Sequence, residues 1–122
     1  EQHALLQGYL LRNDIAALKN WAALKSESPH IQSVLVVSPS WQILAAHQVA
    51  LEDSPLGQYD GTLLRQLQQI PVQSMVNPLT LPEAKPDVLQ MALPLQFDSQ
   101  QGWLVIHYEM KSALHTGLTV TL

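Results

Sequence analysis

Five histidines give this chain its most versatile side chains: His3, His30, His47, His107 and His115. Neutral imidazole ligates metals, relays protons and changes charge at about pH 6.5. None of the five falls into an H-x-H, H-x-x-x-H or H-E-x-x-H spacing, and no carboxylate stands at ligand spacing beside them. No metal site is therefore expected. His47 and His107 would converge only if their strands were neighbours, and a hydrogen-bonded or solvent-facing role is the ordinary one for an imidazole in a strand. The serines include no G-x-S-x-G turn, and no nucleophile, base and orienter can be assigned together. No catalytic residue is assigned and the domain is not expected to be an enzyme. Gly57, Gly61 and Gly102 stand apart, so they form no phosphate-cradling loop. The absence of cysteine removes disulfides, zinc thiolates and thiol catalysis together. No cofactor is implied.

What remains is a binding pocket. Tyr59, Arg65, Gln90, His107 and Tyr108 come from the elements that would line a space between a sheet and a middle loop-helix. Such sites are apolar clefts with a few convergent polar groups. Each residue also has an ordinary reading: Arg65 as a solvated helix residue, Tyr108 as a core aromatic with its hydroxyl at the rim.

The elements that must position them follow from periodicity. Leu5, Leu6, Tyr9 and Leu10 form one apolar stripe; Ile15, Leu18, Trp21, Ala22 and Leu24 form another, so residues 1–25 read as two helices or one kinked helix. Asn13 is the expected N-cap of the second part, with Asp14 in its first turn. Gly8 points to a close helix approach or fraying, and Pro29 stops the segment. Within the strand Ser33 to Val37, the valine-rich run Val34 to Val37 suits a strand covered on both faces. After a turn at Ser38-Pro39-Ser40, Trp41 to His47 alternates Trp41, Ile43, Ala45 and His47 against Gln42, Leu44, Ala46 and Gln48.

Glu52 to Gly57 reads as loop, and Asp60-Gly61-Thr62 opens a short helix with Leu63, Leu64, Leu67 and Ile70 inward, stopped by Pro71. A short edge strand is expected over Val72 to Val76, and prolines punctuate the connection at Pro78, Pro82 and Pro86. Asp87 to Phe97 and Trp103 to Glu109 alternate as two strands joined by a turn over 98–102; Pro94 calls for an edge position or a bulge. Residues 110–115 are expected to begin an exit helix. The chain thus divides into a helical segment, 1–27, a sheet with its loop-helix, 31–109, and an exit segment, 110–122, within one domain.

Composition narrows the function. With 122 residues the chain is one domain with one real core. Net charge is -4, and the six basic residues are scattered, so no basic stripe tracks phosphates and nucleic acid is not an expected partner. No apolar run reaches the length, about 18 residues, that spans a bilayer. The start at Glu1-Gln2-His3, without Met and already helical, is expected of a piece of a longer protein whose membrane-spanning neighbours lie outside it.

The order of elements resembles the PAS-like fold of bacterial Cache and CHASE-type sensor domains, over nearly the whole chain. The resemblance is carried by Asn13-Asp14, Leu18, Leu24, Pro29-His30-Ile31, Ser33-Val34, Val36-Val37 and Ile43-Leu44-Ala45. Such families carry a D-x-x-G signature in the first hairpin turn, where this chain has Ser38-Pro39-Ser40-Trp41. The resemblance implies an α+β, PAS-like (Cache-type) domain: a five-stranded antiparallel sheet with the N-terminal helix or helices packed on one face. It further implies a periplasmic, extracytoplasmic sensor between membrane helices of an inner-membrane histidine kinase, diguanylate cyclase or chemoreceptor, in two-component or c-di-GMP signalling. Its partner would be a small molecule or a periplasmic protein, and its relay the rearrangement of a homodimer. Leu6 and Leu10 are the expected dimer seam. The rival expectations are a cytosolic PAS-type interaction module and a small subunit of an envelope complex.

Overall fold

Asn13 and Asp14 divide the N-terminal segment into α1 (Gln2–Leu11) and α2 (Ile15–Lys25). The division differs by one residue from the expected one. Asn13 takes the left-handed conformation, with φ 53°, and closes α1: its N–H donates to the Leu10 carbonyl at 3.1 Å and the Asp14 N–H to the Tyr9 carbonyl at 2.8 Å. That pair of bonds is a Schellman closure, a task asparagine tolerates better than most residues. Asp14 is the N-cap instead, its carboxylate accepting from the Ala17 N–H at 3.1 Å. Gly8 serves no close approach, because a Cβ there would meet only the Arg12 guanidinium, at 3.5 Å.

The computed structural model describes residues 2–70, 79–81, 87–97 and 99–109. Five strands form one antiparallel sheet in the order β2-β1-β5-β4-β3, with β1 Ile31–Val37, β2 Ile43–Ala46, β3 Leu79–Leu81, β4 Val88–Phe97 and β5 Gln100–Glu109. Between β2 and β3 lie a 3-10 turn, Val49–Leu51, and the short helices α3 (Leu56–Tyr59) and α4 (Gly61–Gln68). The expected edge strand at 72–76 and exit helix from residue 110 lie outside the described residues; the edge strand observed is Leu79–Leu81, inside the proline-punctuated stretch.

Both sheet faces are covered, as the valine-rich run of β1 requires. On one face Leu6, Leu18 and Ala22 of the helices pack with Val34, Val36, Leu95, Leu104 and Ile106. On the other, Leu56, Leu63 and Leu67 of α3 and α4 pack with Leu35, Val37, Ile43, Trp103 and Val105. Strict alternation fails in β2. The register shifts between Val36 and Val37, so Val36 pairs with Ala45 and Val37 with Ile43. Leu44 is the extra residue of this bulge, and Ala45 consequently faces the helices while Ile43 and Ala46 face α3 and α4.

Edges are protected by the chain itself. Residues 53–56 run beside β2, where the Ile43 N–H donates to the Ser54 carbonyl at 2.8 Å and the Asp53 N–H to the Ile43 carbonyl at 2.7 Å. Lys19 reaches over the same edge to Glu52 and Asp53, at 3.6 and 3.9 Å. On β4, Pro94 lies two residues beyond the last β3 pair, Leu79 with Ala92, where no ladder donor is needed. Further along, the Gln7 side-chain amide pairs both backbone groups of Gln96, at 3.0 and 2.6 Å, in place of a neighbouring strand.

Candidate functional site

The first hairpin and the β4–β5 pair bring strand ends together under the α3–α4 corner. Ser33 enters β1 on the same face as Leu35 and Val37, and β5 places His107 opposite it in register. Gln90 of β4 is in turn the register partner of His107. The three side chains are buried and bonded in series. Ser33 Oγ lies 2.5 Å from His107 Nδ1, His107 Nε2 lies 2.6 Å from Gln90 Oε1, and Gln90 Nε2 donates to Gln66 Oε1 of α4 at 2.9 Å.

The glutamines fix the polarity of this chain. An amide NH2 only donates, so the Gln90 oxygen is the group left to accept from His107 Nε2–H. Nδ1 meets the Ser33 hydroxyl, which can donate to it or accept from it. Both ring nitrogens are engaged, and three strands and a helix are tied by one series of bonds.

A cleft of about 290 Å³ opens beside this series. β1 contributes Gln32 and Ser33, β4 contributes Val88, and β5 contributes His107; His47 follows β2, and Tyr59 with Asp60 forms the α3–α4 corner. The volume is at the small end of the range, roughly 300–1,000 Å³, that holds small molecules. The His47 ring meets Tyr59 edge to face at 6.4 Å between centroids. His47 Nδ1 is engaged with the Val34 backbone, within 3.4 Å of both its N–H and its carbonyl. Asp60 caps α4, accepting from the Leu63 N–H at 3.1 Å, which fixes its carboxylate at the rim. Partial burial, aided by the neighbouring Asp60 charge, raises the Tyr59 pKa above that of a free phenol, so the hydroxyl keeps its proton.

Of the expected pocket residues, Tyr59 and His107 line the cleft, and Gln90 is bonded to His107 without lining it. Arg65 is exposed in the last turn of α4 and Tyr108 points to the opposite face, packed with the helix-side core, where burial raises its pKa. His47 and His107 do line one cleft, although β1 separates their strands. Sequence reasoning missed Gln32, Ser33, Gln66 and the rim role of Asp60. A polar residue heading the run Val34 to Val37, on a strand buried on both faces, was the available signal for Ser33. Among the described residues no group of three or more His, Cys, Asp or Glu is placed to hold a metal. A second depression of about 420 Å³ lies at the hairpin end between Trp41, Trp103, Leu67 and Ile70, with a rim of mostly exposed glutamines and no buried polar series.

Leu6, one half of the expected dimer seam, is fully buried in this chain's own core, and Leu10 packs against the same cluster. The exposed apolar residues of α1 are Leu5 and Leu11. No family model matches the chain, and a search of curated proteins finds no match.

Proposed function

We propose that this chain is a PAS-like, Cache-type sensor domain that takes a small molecule into the cleft between the sheet and the α3–α4 corner. The observation that carries the reading is the cleft itself: a small polar space lined in part by Ser33 and His107, which are bonded in series to Gln90 and Gln66 behind them. Side chains already held by hydrogen bonds bind with less ordering cost. The five-stranded antiparallel sheet with the N-terminal helices packed on one face agrees with what the resemblance implies and supports the same reading. In the form we favour, the domain is extracytoplasmic in an inner-membrane receptor, homodimeric, without catalysis of its own, and coupled to a kinase, cyclase or chemotaxis module. Among the described residues no helix is long and apolar enough to cross a membrane, so the receptor reading places its membrane spans outside them.

Two measurements test this. A thermal-shift panel of amino acids, small carboxylates, amines and sugars should yield compounds that raise the melting temperature of the wild type, because a ligand of the native state stabilises it by mass action. The same compounds should fail on a His47→Ala/Tyr59→Phe variant. No responding compound, or an equal response from the variant, rejects the cleft as a sensor site. Reporter fusions along the full-length gene then decide location. Cytoplasmic signal from this segment overturns the receptor form and favours a cytosolic interaction module.

A further inference from the structure

Trp41 occupies a backbone conformation that a bulky side chain rarely takes. Its φ is 66°, and the first turn holds it there. The Trp41 N–H donates to the Ser38 carbonyl at 2.9 Å, and the Trp41 carbonyl accepts from the Leu56 N–H at 2.8 Å. Asn13 and Asp53, the other non-glycine residues with positive φ among the described ones, are types that tolerate it; tryptophan is not. Strain that the surroundings impose on one residue is a mark of ligand sites, where it aims a side chain. Here the strained residue is half-buried and lines the depression of about 420 Å³ at the hairpin end, together with the buried Leu67 and Trp103. Gln68, from the end of α4, and Gln100, from the start of β5, stand exposed around it. This depression and the cleft beside His107 share no described lining residue and lie at opposite ends of β5. We infer that the depression takes the ring of a neutral sugar. The Trp41 indole meets a C–H face of the pyranose, and the Gln68 and Gln100 amides meet its hydroxyls.

A pyranose suits this lining on both of its surfaces. Its C–H face is flat and apolar, and an indole answers it with a large rigid surface that loses little freedom on binding. Its edge carries hydroxyls, each able to donate and to accept. A glutamine side chain has both kinds of group, so its NH2 and its carbonyl oxygen can bond two neighbouring hydroxyls of one ring. A proline-rich peptide is the other usual guest of a tryptophan surface. It presents carbonyl acceptors, so it would use the amide N–H groups and leave the amide oxygens unanswered. The volume falls within the range, roughly 300–1,000 Å³, of small-molecule sites.

The test titrates the chain with methyl β-D-glucopyranoside, whose equatorial hydroxyls leave C–H groups on both ring faces. Sorbitol, cyclohexanol and N-acetyl-triproline amide serve as separate comparisons: hydroxyls without a ring, a ring without the hydroxyl pattern, and a peptide. The readout is the indole N–H signals of Trp41 and Trp103 in the NMR spectrum. Trp21, packed on the helix side of the sheet, is the internal reference, and the His47 and Tyr59 rings report on the cleft. Saturable shifts at Trp41 and Trp103 are expected with the glucoside alone, in the millimolar range for so few atoms. Trp41→Gly should abolish the shift at Trp103 while keeping the turn, since glycine takes a φ of 66° freely. The double variant Gln68→Ala/Gln100→Ala changes only exposed side chains, so it keeps the fold whatever the first variant does. It should weaken binding about fivefold or more, the loss of two ordinary hydrogen bonds. Equal binding by that double variant overturns the inference. So does equal binding of cyclohexanol, sorbitol or the peptide, or silence from the glucoside. Glucoside shifts at His47 and Tyr59 in place of Trp41 overturn it too, because they put the sugar in the cleft. The proposal does not rest on the cleft, whose own compound panel stands or fails separately.

Discussion

His107 is buried between Ser33 and Gln90, and Gln90 joins it to α4, which makes Gln90 the residue whose loss is most informative. Gln90→Met keeps the approximate volume but removes the amide oxygen that His107 Nε2 meets and the amide N–H that donates to Gln66. An unsatisfied buried donor costs about 1–3 kcal/mol, so urea unfolding should show a destabilisation of that size; a change below about 0.5 kcal/mol would mean the series contributes little. Tyr59 and Tyr108 lead to a pH prediction. Both have folded-state pKa values raised by burial, so the native state holds its phenolic protons more tightly than the unfolded chain does. Their contribution is fully present below the unfolded tyrosine pKa, about 10, and is lost as pH rises through the higher folded values. Stability should therefore fall on the alkaline side, and Tyr108→Phe should flatten part of that fall when tyrosinate absorbance and unfolding are followed together. At this scale the site was half legible. Tyr59 and His107 line the cleft and Gln90 stands behind His107, whereas Arg65 and Tyr108 lie elsewhere: one turn of α4 or one step of β5 carries a side chain away from it.

Glycines separate local preference from tertiary constraint at the scale of elements. Gly8 lies in α1 with room for a methyl group, so Gly8→Ala should stabilise the fold by up to about 1 kcal/mol, the helix-propensity difference, seen as a higher denaturation midpoint. Gly102 in β5 is the opposite case. A Cβ there would strike the Val37 carbonyl oxygen and the Phe97 ring that lies over the glycine. Gly102→Ala should therefore cost about 1–3 kcal/mol or more, since a backbone atom cannot move aside as a side-chain end can. Periodicity and proline gave α1, α2 and α4, the two hairpins and a five-stranded antiparallel sheet, while α3 begins in a stretch that reads as loop. It missed what bulges and turn chemistry decide. The extra residue Leu44 resets β2, and the first turn closes through Ser38 and Trp41 at a conformational cost. Ser38 Oγ accepts from the Gln42 N–H at 3.1 Å as an aspartate would, and Trp41 adopts φ 66°, where glycine would sit freely. A left-handed non-glycine residue costs roughly 1–2 kcal/mol, so no propensity rule finds tryptophan there.

The whole molecule must reconcile a covered sheet with the proposed dimer, and α1 decides how. Apolar residues at helical spacing announce a buried stripe but do not say whether the cover is the chain's own sheet or a second copy. Here Leu6 is inside the chain's own core and Gln7 fastens the same helix to β4 through Gln96, so this face of α1 belongs to the fold. Leu11 is 84% exposed and marks the side of α1 that a second copy would have to use. The two positions should respond differently to truncation. Leu6→Ala leaves a cavity under a well-packed helix and should cost about 2–5 kcal/mol. Because that loss is internal to one chain, the difference in melting temperature from the wild type should be the same at every protein concentration, whereas a subunit contact makes apparent stability rise with concentration. Leu11→Ala should leave the monomer's stability within about 0.5 kcal/mol, as surface substitutions do. A Leu6→Ala defect that grows or shrinks with concentration would return Leu6 to a subunit interface and would require α1 to leave the sheet.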